Sequence, residues 1–253
     1  MLKAYNKAVL EEKKYKVQKE DIWTVLETNI HSEFISLLNE NNPVSLAKYL
    51  CNISLHNITH GLSQGQESYR MLKLNREIRE IVAILYKDKL VSLAESLGSI
   101  CYENPEQGSW AQNIYLDTNV IIDKIEKTIG LELKKINYLG GLFGLKTKRG
   151  IIDARYLYAL YTALRIVNIL EEKNLNKSSI CEIGGGIGHV AFFLNYFGTN
   201  NYLIFDLPYI CVISGYFLLK SLKGKVFLYG EKIKNKKNII KIYPYWMLAK
   251  MKD

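Results

Sequence analysis

Glycines and acids at a regular spacing mark one stretch of this chain as a candidate ligand site. Residues 179–208 read SICEIGGGIGHVAFFLNYFGTNNYLIFDLP, where Glu182 precedes Gly184, Gly186 and Gly188 at alternate positions and Asp206 ends a second apolar run. Glycine has no Cβ, so the backbone can turn sharply and a ligand can lie against bare peptide groups at a helix start. The two carboxylates can accept hydrogen bonds from ligand hydroxyl or ammonium groups.

The elements that must position these residues follow the order strand, glycine loop, helix, strand. Ile180 and Cys181 form a short apolar strand, and from His189 onward the apolar residues take a helical spacing. A second strand, 202–206, ends on the acid. This order is half of a nucleotide-binding α/β fold. We therefore predict that 180–182 and 202–206 are adjacent parallel strands.

The position of the first acid separates two classes of cofactor that use such a loop. Gly186, Gly188 and Ala191 loosely satisfy the G-x-G-x-x-G/A pattern of dinucleotide folds. Glu182, however, stands where those folds keep an apolar strand end, and a carboxylate there suits a ligand with ammonium and sulfonium groups. Three alternatives stay open from the residues: a methyl-donor site, a dinucleotide site, and a glycine-rich turn that binds no ligand.

The pattern E-x-G-x-G-x-G, with a second acid 24 residues later (206 minus 182), resembles motif I and the next acidic position of class I S-adenosylmethionine-dependent methyltransferases. The resemblance implies S-adenosylmethionine as the cofactor. It places Glu182 beside the methionine end, the three glycines along the cofactor, and Asp206, followed by Leu207, at the ribose hydroxyls.

The helix predicted before the first strand is the other source of candidate contacts. Asp153 can cap a helix that runs to about residue 172, and its apolar residues recur at helical spacing. Helices that enter the first strand of this fold class often lie over the cofactor. Arg155, Tyr156 and Tyr158 are therefore candidates to contact the methionine carboxylate or the substrate, with ordinary surface or packing roles as the alternative.

Longer stretches resemble a bacterial family of sugar O-methyltransferases. They are ICEIGGGIGHVA, FDLP, VFLYGE, IKIYPYW, the RYLYALYTALRI before the glycine loop, and the N-terminal KVQKEDIW. The FDLP step is shared with small-molecule O-methyltransferases of plants. The resemblance implies methyl transfer to a hydroxyl of a sugar or a glycan precursor, in the synthesis of bacterial surface polysaccharide. No catalytic residue is assigned, although His189 is a candidate general base.

The family's sheet has more strands than the sequence places here, at 179–182, 202–206, 226–229 and 239–243. We therefore expect an incomplete Rossmann-like core: either the chain is a truncated or split gene product, or a second copy of the chain or a partner protein completes the sheet. On this expectation the isolated chain binds the cofactor poorly or moderately and transfers no methyl group. A catalytically inactive cofactor-binding remnant or scaffold is the alternative function.

Composition restricts the remaining classes. The 253 residues carry a net charge of +9. Residues 201–253 contain ten lysines and three acids, and four of these lysines lie in the segment GEKIKNKKN, the lysine loop. An RNA methyltransferase would use such a surface, but a solvated lysine-rich surface is the favoured reading, so no nucleic-acid partner is expected. His56 and His60 have no third ligand, and we predict no metal site.

The predicted architecture is a mainly helical domain over 1–150 and a partial Rossmann-like S-adenosylmethionine-binding domain over 151–253, in an α/β protein. Hydrophobic residues make up 48% of the chain, enough for a buried core. No apolar run reaches the roughly 18 residues that a membrane span needs, and the charged N-terminus lacks a secretory signal. A cytoplasmic location is expected.

Overall fold

The computed structural model describes residues 1–15, 22–62, 66–104, 106, 108, 111–136, 143–199, 201–232 and 238–251. Within these ranges the protein has an α/β fold: helices form the first part of the chain, and a four-stranded parallel sheet with its own helices follows. The predicted α/β class is confirmed.

Helices account for most of the described chain before residue 130. Asn42, Asn75 and Asp117 each accept first-turn backbone N–H groups with a side-chain oxygen, which satisfies amides that lack a partner inside the helix. The helices are α1 (Leu2–Glu12), α2 (Ile22–Val25, continued by a wider turn over Leu26–Ile30), α3 (Ser32–Asn39), α4 (Pro43–Cys51), α5 (Gln66–Leu74), α6 (Arg76–Ser96) and α7 (Thr118–Ile129).

A small hairpin and the parallel-sheet unit complete the fold. The hairpin pairs β1 (Leu145–Thr147) antiparallel with β2 (Gly150–Ile152), and Asp153 then caps the next helix by accepting the Tyr156 N–H at 2.8 Å, as the sequence predicts. The later elements are α8 (Ala154–Glu172), β3 (Ile180–Ile183), α9 (His189–Tyr196), β4 (Tyr202–Asp206), α10 (Pro208–Ser221), β5 (Val226–Leu228) and β6 (Ile240–Pro244).

The four strands of the sheet lie in the order β3-β4-β6-β5, and all neighbours are parallel. Each lies where the sequence predicts it, with ends shifted by at most one residue. Glu182 pairs with Ile204, and the Gly184 N–H donates to the Phe205 carbonyl at 2.9 Å, so the pairing continues into the glycine loop. The predicted parallel pairing of the two acid-bearing strands is confirmed.

One face of the sheet is covered by a row of helices. α8 packs along α9, aromatic rings of α9 contact Phe217 of α10, and α1 lies against α10. Ile204 of β4 and Ile242 of β6 are fully buried, whereas Ile183, the last residue of β3, is 71% exposed. Parallel sheets are usually covered on both faces, so the exposed side of β3 is the least protected part of this sheet.

The helical part and the sheet share one connected buried core. A polar contact joins them too: His31, 1% exposed at the start of α3, places its Nδ1 3.2 Å from the Tyr209 hydroxyl on α10. The division into domains at residue 150 stays a prediction. Among the residues that the structure describes, none of the helices is both long enough and apolar enough to cross a membrane.

Candidate functional site

A cavity of about 650 Å³ opens at the carboxyl ends of β3 and β4. Its volume is in the roughly 300–1,000 Å³ range of small-molecule sites, and open α/β sheets bind their ligands at this edge. Its lining comes from the glycine loop, the strand ends and several helices: Trp23, Gly61, Leu62, Arg155, Tyr158, Ala159, Thr162, Ile183, Gly184, Gly185, Gly186, Ile187, Gly188, His189, Val190, Phe205, Asp206, Leu207, Ile210 and Tyr245.

The glycine loop forms one wall of the cavity with bare peptide. Gly188 has a φ of +93°, and a Cβ there would lie 2.8 Å from Cδ1 of Leu218. A Cβ on Gly185 would lie 2.7 Å from Cγ2 of Ile204 and 3.0 Å from Oε2 of Glu182. At the first position both the left-handed backbone and the close approach require glycine; at the second the close approach alone does.

Asp206 ties the glycine loop to the end of β4. Its Oδ2 accepts the Gly186 N–H at 2.9 Å, and its Oδ1 accepts the Leu207 N–H at 2.8 Å. Burial raises the pKa of this carboxyl to about 6, against the opposing effect of the two backbone hydrogen bonds. Each oxygen keeps further acceptor capacity, so the carboxylate can hold the loop and still accept ligand hydroxyls.

Glu182, the first acid of the pattern, is not among the residues that line the cavity. It lies next to Gly185, and the Tyr202 hydroxyl hydrogen-bonds to its carboxyl group. Burial raises its pKa, and its Oε2 has no hydrogen-bond partner in the described part of the chain. The geometry gives Glu182 a supporting position behind the loop, and a cofactor contact by this residue stays a prediction.

The three candidates at the start of α8 separate into two groups. Arg155 and Tyr158 line the cavity. Tyr156 instead points into the core, where its ring packs edge-to-face on Phe193 with centroids 5.0 Å apart and its hydroxyl donates to the Lys134 carbonyl at 3.0 Å. The packing alternative therefore describes Tyr156, whose ring and hydroxyl are both already engaged.

His189 begins α9 and lines the cavity, and its Nε2 has no hydrogen-bond partner among the described residues. Burial, assisted by the positive charge of Arg155, lowers its pKa to about 4. The imidazole is therefore uncharged at neutral pH, and so low a pKa makes it a weak general base. The Nε2 atom is itself buried, and the ring packs edge-to-face on Phe217 with centroids 4.8 Å apart, so packing holds the imidazole in place beside the cavity.

Sequence reasoning missed the residues that close the cavity from outside the glycine loop. Trp23 comes from α2, Leu62 from the turn after the short helix Asn57–Thr59, and Tyr245 from the turn after β6. Arg155 reaches the turn that carries Leu62, where its Nη2 donates to the Gly61 carbonyl at 3.4 Å. Trp23 and Tyr245 stand in KVQKEDIW and IKIYPYW, two segments that carry the family resemblance, but neither segment marks a cavity position, and only the packing of distant elements brings these residues to the loop.

Other candidate features from the sequence lie away from the cavity. His56 stacks on Tyr49 with ring centroids 3.7 Å apart, and the described residues contain no group of three or more His, Cys, Asp or Glu that could hold a metal ion. Of the lysine loop, residues 233–237 lie outside the described ranges. Comparison with protein-family models, curated proteins and solved structures finds no match for this chain.

Proposed function

We propose that this protein has a Rossmann-like methyltransferase core, which a second copy of the chain or a partner protein completes, and that the completed core transfers a methyl group from S-adenosylmethionine to a hydroxyl of a sugar or glycan precursor in the cytoplasm. One observation carries the proposal: Gly184, Gly186, Gly188 and Asp206 meet in one cavity at the carboxyl ends of two adjacent parallel strands. The resemblance of the same residues to methyltransferase motif I supplies the cofactor class and the sugar acceptor.

The residues of the cavity suit this cofactor in chemistry and size. Bare peptide of the loop allows close contact, and Asp206 can accept two hydroxyl hydrogen bonds. Arg155 brings a cation for a ligand carboxylate. The volume of about 650 Å³ leaves room for a nucleoside with an amino-acid side arm.

When bound, S-adenosylmethionine would supply an electrophilic methyl group on its sulfonium for the acceptor hydroxyl, whose proton would pass to solvent. The protein's own contribution is to position and orient the reactants, which can supply much of the rate acceleration for such a displacement. The loop and Asp206 fix the ligand against the sheet edge. Trp23 and Leu62 line the cavity from outside the glycine loop and exclude water from part of it.

Isothermal titration calorimetry with S-adenosylmethionine tests the cofactor assignment without knowledge of the acceptor. We expect saturable binding at one site per chain, competed by S-adenosylhomocysteine. NAD serves as the comparison ligand because dinucleotide folds use a similar loop. Binding of NAD in place of S-adenosylmethionine would transfer the site to the dinucleotide class, and binding of neither would leave the loop as a structural turn.

A further inference from the structure

A second cavity, of about 310 Å³, lies between α6 and α8, and it adjoins the first one at Tyr158, which lines both. Lys89, Ser92 and Ser96 recur at i, i+3 and i+7 and therefore share one side of α6. Tyr158 and Tyr161, at i and i+3 on α8, face them across this space. Its lining combines two tyrosine rings, two leucines and four polar side chains: Asp88, Lys89, Ser92, Leu93, Ser96, Leu157, Tyr158 and Tyr161.

Tyr158 is held at the boundary between the two cavities by Lys89. The Lys89 Nζ donates to the Tyr158 hydroxyl oxygen at 2.6 Å, and the two residues come from helices 69 positions apart in the chain. Because the phenol oxygen accepts this bond, its own proton stays available for an oxygen atom of a ligand. The side chain can therefore contact ligands from either side.

The polar and aromatic groups of the second cavity match the surface of a sugar ring. Tyr158 and Tyr161 are 53% and 43% exposed, and the negative face of an aromatic ring attracts the weakly positive C–H hydrogens of a pyranose. Around them stand an acceptor-only carboxylate at Asp88, a donor-only ammonium at Lys89, and the hydroxyl of Ser92, which both donates and accepts. A sugar presents the same alternation, with apolar C–H faces and a rim of hydroxyl groups.

We propose that this second cavity binds the sugar acceptor, with a pyranose ring stacked on Tyr161 and its reactive hydroxyl directed past Tyr158 toward the first cavity. The proposal rests on the proposed function, because it assigns the acceptor side of the same site. Tyr158 acts as a positioning residue between the two cavities, and Tyr161 contributes the stacking surface.

Saturation-transfer NMR with the full chain measures this binding directly. The probes are the methyl α-pyranosides of glucose, galactose and mannose, each at millimolar concentration, with and without S-adenosylmethionine. We expect saturation transfer to the C–H protons of at least one probe. Tyr161→Ala should reduce that transfer at least fivefold, while Tyr161→Phe, which keeps the ring, retains it.

Tyr115→Ala is the matched control, since Tyr115 is 80% exposed and lines neither cavity. Circular dichroism of all three variants verifies that the fold is kept. Calorimetry with S-adenosylmethionine on Tyr161→Ala should give the wild-type affinity, because Tyr161 does not line the first cavity.

The outcomes separate this inference from the proposed function. Normal cofactor binding without any sugar signal, or with a signal that Tyr161→Ala leaves unchanged, overturns the acceptor site and leaves the cofactor site standing. A sugar signal that depends on Tyr161 in a chain that fails to bind S-adenosylmethionine supports the sugar site and overturns the methyltransferase proposal.

Discussion

The first cavity has two walls that are built in different ways. Its strand-end wall comes from two neighbouring stretches, within residues 183–190 and 205–210, and presents bare peptide at four glycines, apolar side chains and the Asp206 carboxylate. The rest of the lining, here called the helical wall, comes from four separate parts of the chain, at Trp23, at Gly61 with Leu62, at Arg155 with Tyr158, and at Tyr245, and presents mostly side chains. The strand-end wall is fixed by strand pairing and short hydrogen bonds, whereas the helical wall depends on how helices pack.

This difference predicts a division of tasks. Backbone amides and a buried carboxylate held by two hydrogen bonds cannot shift far, so they are suited to the part of the ligand that must be recognised and fixed. Half-exposed side chains such as Trp23, 47% exposed, make weaker individual contacts and are suited to covering the ligand. We therefore expect substitutions in the strand-end wall to weaken cofactor binding more than substitutions in the helical wall.

The largest effect is expected for Asp206→Ala. The change removes charge-assisted hydrogen bonds to the ribose hydroxyls, each worth roughly 1.5–3 kcal/mol, and it also leaves the Gly186 and Leu207 N–H groups without their acceptor. Calorimetry should record an affinity for S-adenosylmethionine that is at least tenfold lower than that of the wild type.

Asp117→Ala provides the matched control. Asp117 likewise accepts two backbone N–H groups, from Asn119 and Val120 at the start of α7, but it does not line the cavity. The Asp117→Ala substitution should lower the midpoint temperature of thermal unfolding and leave the affinity for S-adenosylmethionine unchanged. Equal affinities for the Asp206→Ala variant and the wild type would place the ligand elsewhere and remove the distinction between the walls.

The next largest effect is a change of about tenfold in the affinity for S-adenosylmethionine with pH. In the free protein the pKa of Asp206 is about 6, raised from 3.8 by burial, and ligand hydroxyls that donate to the carboxylate favour its ionised form. Affinity should therefore be constant above about pH 7 and fall by up to tenfold per pH unit below pH 6. Calorimetry at pH 7.5 and pH 5.0 should show a difference of about tenfold.

The same carboxyl has the opposite influence on folding. Its pKa in the folded protein lies above the unfolded value, so the folded state binds the proton more tightly, and this group's contribution to stability decreases as the pH rises from 3.8 through 6. Affinity that does not change with pH in the wild type would mean that Asp206 makes no contact with the ligand.

The smallest effect is expected for Arg155→Ala in the helical wall. Arg155 is exposed, and exposed ion pairs are worth about 0.2–1 kcal/mol, so losing a pair with the ligand carboxylate should weaken binding about two- to fivefold. Arg76→Ala is the control, because Arg76 is an exposed arginine on α6 that does not line the cavity. A loss for Arg155→Ala as large as that for Asp206→Ala would contradict the proposed division of tasks.

The sequence by itself determined the strand-end wall. A strand followed by a glycine loop, a helix and a second strand is encoded by local residue types, because glycine conformations, apolar runs and capping groups act within a few residues. The two strands then pair in parallel, and the carboxyl ends of adjacent parallel strands meet at one edge of the sheet. Gly184 and Asp206 therefore lie together at that edge, as the pattern predicts. The alternate spacing of glycines did not single out Gly185, because the close approach of Ile204 that requires a glycine there is a tertiary contact.

Only the tertiary structure decided which side chains face the cavity. Helical periodicity places Arg155, Tyr156 and Tyr158 at the start of one helix, but packing against Phe193 turns Tyr156 into the core and leaves the other two at the cavity. Trp23 and Leu62 line the same cavity as the glycine loop from more than 100 residues away, and Leu62 also packs against the core that the two parts of the chain share. Such contacts depend on how whole elements pack, and no local pattern in the chain encodes them.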